Sequence, residues 1–445
     1  MHTRLLAFML VFTLAGSAFA NINPADGPSL ARQAVSKDPN EAATAIRALR
    51  AQGPAGLEAF VKAHAEAINA RRLEIASANP PAASSFWLRL SQAMDAIAGQ
   101  KDSFAAALYW YTDFNQARAA AQLSGKPILS VRLLGHLDEE LSCANSRFFR
   151  LTLYANQEIA QLLKEKFILH WQSVRPAPKV TIDFGDGRRL ERTLTGNSIH
   201  YVLDHRGHVI DALPGLYGPQ AFLNELIRAA SLAGQVEQAA TDEAGAALLR
   251  DYHTARLKEL AIAWTNDLAR AGVKANVASL TMPTSTDSPR PPRAEVAARA
   301  AITKMVVAER PVLRGISTEP RLLDAQPEDL GWARIAALHA DEARLDAASQ
   351  ALVRSKNLSR FAAADEWQRT LATLERAIAI DTVRNEYLFR RTLHEWLAKA
   401  GATDDLAALN ERVYAELFLT PSSDKWLGLF PEDSFTGIEN DGVHK

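Results

Sequence analysis

Residues 139–149 read EELSCANSRFF, and the fold turns on how Cys143 is read. It is the only cysteine among 445 residues, and Ser146 stands where a second one would complete a Cys-x-x-Cys pair. From Ala144 the apolar spacing of ANSRFFRLTLYANQEIAQLLKEKF predicts helix, broken near Ala155-Asn156. Cys143 therefore opens a helix, where unpaired backbone N–H groups and the helix dipole favour a thiolate. One turn on, the Ser146 hydroxyl is placed to donate to the sulfur, and Arg147 adds positive charge. Asp138, Glu139 and Glu140, just upstream, oppose it.

Outward from this stretch the texture alternates. DFNQARAAAQLSGKP reads as a helix stopped at Gly125, and PILSVRLLG as an apolar strand. FILHWQSV is a second strand. KVTIDFGDGRRLERTLT, residues 179–195, reads as a hairpin turning at Gly185-Asp186-Gly187. SIHYVLDHRGHVIDALPG is another, turning at His205-Arg206-Gly207, and GPQAFLNELIRAASLAG closes the unit as a helix. This order predicts a mixed sheet with flanking helices over residues 106–233.

Residues 21–105 and 234–420 read as mainly α-helical. The first region breaks at Gly53-Pro54 and ends a helix at Gly99. The second opens with GAALLRDYHTARLKELAIAWTNDLARAG, a long helix or a helical pair. Residues 279–294, rich in Pro, Ser and Thr, are expected to form a flexible loop. The tail, 421–445, is irregular, with Trp426, Leu427, Leu429 and Phe430 expected to anchor it. Tyr109, Trp110 and Tyr111, and likewise Trp332, Trp367 and Trp396, are expected in packing rather than in ligand stacking.

At the N-terminus, Arg4, the apolar run Leu5 to Leu14 and Ala18-Phe19-Ala20 form a secretory signal peptide over residues 1–20, with cleavage expected after Ala20. The run is too short for a transmembrane helix, so no membrane insertion of the mature chain is expected. The expected location is periplasmic or secreted. A hydrophobic content of 48% and a charged content of 23% suit a globular protein, and a net charge of −1 provides no basic field for nucleic acid. With one cysteine, no internal disulfide can form.

Residues 113–228 resemble the thioredoxin superfamily. The resemblance rests on GKPILSV as the first core strand, on Cys143 at the nucleophile position, and on HYVLDHRGHVIDALPG as the final β-hairpin. It implies an α/β thioredoxin-like domain, with Cys143 and Ser146 as the catalytic pair and Asn197, Ser198 and Ile199 along the substrate groove. The whole chain, including LFLTPSSDKWLGLFPED, also resembles exported bacterial thioredoxin-like proteins. Four departures stand against full activity. Ser146 cannot resolve a mixed disulfide. Ser198 occupies the family's cis-proline position, so its peptide is expected to be trans. The loop before Cys143 is long and acidic, and the 179–195 hairpin is an insertion.

Other sites are weaker. His200, His205 and His208 flank one turn and read as surface histidines, and His170 could approach Cys143 across the core, so no metal is expected. No cofactor motif is present. The expected function is a non-catalytic binding or scaffold module of the cell envelope, whose partner is an exported client or envelope protein. The alternative is a monothiol redox protein, in which Cys143 forms mixed disulfides with client proteins or a small thiol.

Overall fold

The computed structural model describes residues 26–77, 80–275, 291–317, 319–400, 405–430 and 437–443. The expected leader over 1–20 and most of the expected 279–294 loop lie outside these residues. Among the described residues, no helix is long and apolar enough to cross a membrane.

Among the described residues, six strands form two sheets. β1 (Ile128–Leu134), β2 (Ile168–Arg175), β5 (Ile199–Leu203) and β6 (Val209–Pro214) make one mixed sheet in the order β2-β1-β5-β6. β1 runs parallel to β2 and antiparallel to β5, and β5 pairs with β6 as a hairpin. All residues of β1 and β5 are buried, because helices cover both faces of the sheet centre. β3 (Lys179–Asp183) and β4 (Arg189–Thr193) form a separate, mostly exposed ribbon.

Local chemistry fixes the joints. Asp113 caps the Phe114–Ser124 helix through the amides of Asn115 and Gln116, and Gly125 ends it in the left-handed region at φ 68°. The β1-to-β2 crossover begins with the Ala144–Phe148 helix and a π-helical turn, Phe149–Leu153. It breaks at Tyr154 to Asn156 and resumes as Gln157–Lys166, capped by Asn156. At the β5–β6 turn the Asp204 carboxylate accepts from the amides of Arg206, Gly207 and His208. Gly207 supplies the φ of 102° that the turn needs.

The expectation of a small mixed sheet with flanking helices inside a mainly helical chain holds. On the N-terminal side five helices, from Gly27–Gln33 to Ser85–Ala98, enclose their own core around Leu49, Phe60, Leu90 and Ile97. Arg50 ties this bundle to the next segment by donating to the carbonyls of Ile97 and Trp110. Trp171 of β2 adds a bond to the Gly99 carbonyl at 2.7 Å.

On the C-terminal side, the sheet and the helices share one continuous core, in which Ile128 and Tyr201 belong to the same cluster as Trp332 and Tyr414. The segment left open as a long helix or a pair is one 30-residue helix, Asp242–Ala271, packed against Arg391–Ala400. Trp332 and Trp367 are buried, whereas Trp396 is half-buried under the Arg412 guanidinium. The tail departs from expectation: of its four large apolar residues only Leu427 is buried, while Trp426 and Phe430 are 48% and 39% exposed and pack on each other. Hydrogen bonds to the tail's carbonyls do the anchoring instead. Arg175 at the end of β2 donates to the carbonyls of Thr420 and Pro421, and Gly428 accepts from the Ala294 amide.

Candidate functional site: an enclosed thiol at a helix start

Cys143 stands at the N-cap of the Ala144–Phe148 helix, and its amide donates to the carbonyl of Leu134 at the end of β1. It has 0% exposure. Its sulfur lies 3.1 Å from the Ser198 hydroxyl and 3.4 Å from that of Ser146. The expected donation from Ser146 to the sulfur is reversed. The Ser146 hydroxyl, with its one proton, faces Ser142 Oγ and the Cys143 carbonyl, each at 2.8 Å, and the thiol donates to Ser146 instead.

Arg147 comes close, but its guanidinium is engaged by the Ser142 carbonyl at 2.8 Å and Thr193 Oγ1 at 2.5 Å. Burial draws it below the usual guanidinium range, and the potentials of Cys143 and Glu309 oppose this. The acidic stretch turns elsewhere: Glu140 pairs with Lys356, and Glu139 with His136.

The far wall is the loop from β4 to β5. Asn197, Ser198 and Ile199 are at most 1% exposed, so this segment presents no open groove. Asn197 accepts from Asn145 through its side chain and from the Tyr414 hydroxyl through its main-chain carbonyl, at 3.0 and 2.9 Å. The Ser198 carbonyl is taken by the Gly215 amide. Among the described residues all peptide bonds are trans, the one entering Ser198 included. Gly196 is required by its φ of 78° and by Leu134, whose Cδ2 would lie 2.7 Å from an added Cβ.

Two C-terminal segments complete the enclosure. The π-helical turn Val413–Leu417 brings Tyr414, and the turn Lys304–Glu309 packs on the Ala144–Phe148 helix. Lys304 and Glu309 form an ion pair at 3.6 Å with 1% and 0% side-chain exposure. Burial pushes the Glu309 carboxyl up, while Lys304, the Thr195 amide and Arg147 favour its charged form. Tyr414 is driven well above the ordinary phenol range, first by burial and then by Cys143. The pocket can hold a thiol in a fixed polar cage. It offers no surface on which a disulfide could meet the sulfur.

The remaining predicted histidines separate. His170 bonds Ser130 at 2.8 Å rather than approaching Cys143, and burial pulls it down to about 3. His200 is fully buried rather than at the surface, because it lies on the central strand β5; Tyr154 meets it at 2.8 Å and burial holds it at about 3. His205 and His208 pair with Glu237 and Asp204. Sequence reading missed Tyr414, Glu309 and Lys304, which lie more than 160 positions from Cys143 and carry no local motif. No family model, curated protein or solved structure matches the chain.

Proposed function

We propose that the chain is an exported thioredoxin-like protein that serves as a non-catalytic binding or scaffold module of the cell envelope, with Cys143 in a structural role. The strand order β2-β1-β5-β6, with β1 parallel to β2 and antiparallel to β5, supports the thioredoxin-like reading. So does a cysteine heading the crossover helix. The leader over residues 1–20 supports export to the periplasm or beyond. On this reading the partner is an exported client or envelope protein, held without a covalent bond.

One observation carries the non-catalytic part: Cys143 has 0% exposure, beneath the Tyr414–Asn197 contact. Exchange requires a thiolate to reach a disulfide sulfur, and a second thiol to release the product. The chain has one cysteine, and it is enclosed. A single observation favours the monothiol alternative. Thr195 is β-branched yet sits at φ 57° in the loop facing Cys143, a strain of about 1–3 kcal/mol that opening of the loop would release.

The test is incubation of the native mature chain with oxidised glutathione, and separately with insulin and a slow reductant. The expected result is no mixed disulfide by intact mass and no faster insulin precipitation than with a Cys143→Ala variant. A stoichiometric glutathione adduct on the native protein would establish the monothiol reading instead.

A further inference from the structure

Beside β6, three buried side chains from three elements converge. Asp211 comes from β6, His253 from the Asp242–Ala271 helix and His394 from the Arg391–Ala400 helix. Each is at most 1% exposed. One donor atom of each lies within 4.8 Å of the other two, and the two histidine Nδ1 atoms are 2.9 Å apart. His394 Nε2 is buried without a hydrogen-bond partner.

A network of carboxyl and guanidinium groups surrounds the three side chains. Arg390, itself 0% exposed, meets Asp211 and Glu225 at 2.6 Å each and Glu386 at 3.5 Å. Arg256 meets Glu225 at 3.2 Å and Glu386 at 2.9 Å. Arg256 also meets Glu259 at 2.6 Å, and Arg228 at the rim meets Glu259 at 3.5 Å and Glu225 at 3.6 Å, so four carboxyl groups, Asp211, Glu225, Glu386 and Glu259, share three guanidiniums. Each imidazole has a ring nitrogen whose lone pair can ligate a metal.

We propose that Asp211, His253 and His394 bind one divalent transition-metal ion of the zinc type, which staples β6 to two C-terminal helices. Two imidazoles and a carboxylate suit zinc or cobalt, and not calcium or magnesium, which take oxygen ligands. Metal–nitrogen bonds of about 2.0–2.1 Å in a tetrahedral site set the nitrogens roughly 3.3 Å apart, so the rings need part only by a few tenths of an ångström. Arg390 keeps Glu225 as partner while Asp211 turns to the ion. The Tyr252 hydroxyl donates to the same Asp211 oxygen that Arg390 meets, Oδ2, at 3.2 Å. Because the three donors meet only in the folded chain, metal binding adds to folding stability.

The experiment loads the full mature chain with zinc, dialyses it against metal-free buffer and counts retained zinc by mass spectrometry. A parallel sample loaded with cobalt(II) is read by visible absorption. The expected result is one zinc per chain, tetrahedral cobalt bands, and a melting temperature that rises with zinc and falls with chelator. His394→Ala and His253→Ala are expected to lose the metal. Substoichiometric zinc with a melting temperature indifferent to zinc and chelator would overturn the proposal and leave a neutral His–His hydrogen bond. Full retention by either folded variant would also overturn it, by placing the ion elsewhere. Should the variants fail to fold, the zinc and chelator response of the unaltered chain decides.

Discussion

The Tyr414 hydroxyl donates to the main-chain carbonyl of Asn197 at 2.9 Å, joining residues 217 positions apart across the roof of the Cys143 pocket. Both partners are at most 1% exposed, so neither has water to fall back on. Tyr414→Phe leaves that carbonyl buried and unpaired, and is expected to cost about 1–3 kcal/mol in urea unfolding. Tyr414→Ala adds a cavity, is expected to cost about 3–5 kcal/mol, and should make Cys143 accessible to alkylation in the folded protein.

The Lys304–Glu309 pair is expected to show the asymmetry of buried charges. Lys304→Met strands Glu309 in the interior and is expected to destabilise the chain by about 3–5 kcal/mol. The Lys304→Met, Glu309→Leu double variant should lose less than Lys304→Met alone. A double-mutant cycle by denaturant unfolding measures this. Equal losses would mean that Glu309 finds another partner.

The parts of the fold that depend on local chemistry were legible in the sequence. Asp113, Gly125, Asn156 and Gly207 act through bonds or backbone angles within a few residues of themselves, and each marks its joint. The alternation over 179–195 likewise placed the exposed ribbon. What could not be read depends on distant segments. The sequence leaves the exposure of Cys143 open, because the segments packed around its helix, Tyr414 and the Lys304–Glu309 turn, come from far along the chain. His253 and His394 are 141 positions apart, so no spacing joins them. One signal was present: Glu386, Arg390 and His394 repeat every four residues in NEYLFRRTLHEW, which sets three polar groups on one helix face. The surface position expected for His200 fails because flanking a turn does not expose a residue whose strand lies at the sheet centre.

Restoring the missing thiol should not restore activity. In Ser146→Cys the new sulfur would stand near the present hydroxyl, 3.4 Å from the Cys143 sulfur. The variant is expected to form an internal disulfide under oxidising conditions, seen as the loss of free thiols by titration. It is still expected not to reduce insulin, since the pocket stays roofed by Tyr414. Catalysis by this variant would show that enclosure is not what silences the site.

His339 bonds Glu342 at 3.0 Å and Asp267 at 2.7 Å, and these two, the Glu342 bond foremost, lift it to about 9 against the cost of burial. A histidine raised in the folded state contributes fully below its unfolded value of about 6.5, and loses that contribution as pH rises through about 9. His339→Gln is therefore expected to cost about 1–2 kcal/mol at pH 6 and to converge on the unaltered chain by pH 10. Chemical denaturation across that range checks it. A penalty independent of pH would assign His339 a packing role alone.

The most direct test of the central claim is the rate at which iodoacetamide alkylates Cys143 in the native mature chain, followed by intact mass from pH 4 to 10 and compared with the chain in denaturant. The enclosed, structural cysteine predicts no native labelling across the range and complete labelling once the chain is unfolded. Rapid labelling of the folded protein near neutral pH would contradict the account and make Cys143 an accessible nucleophile.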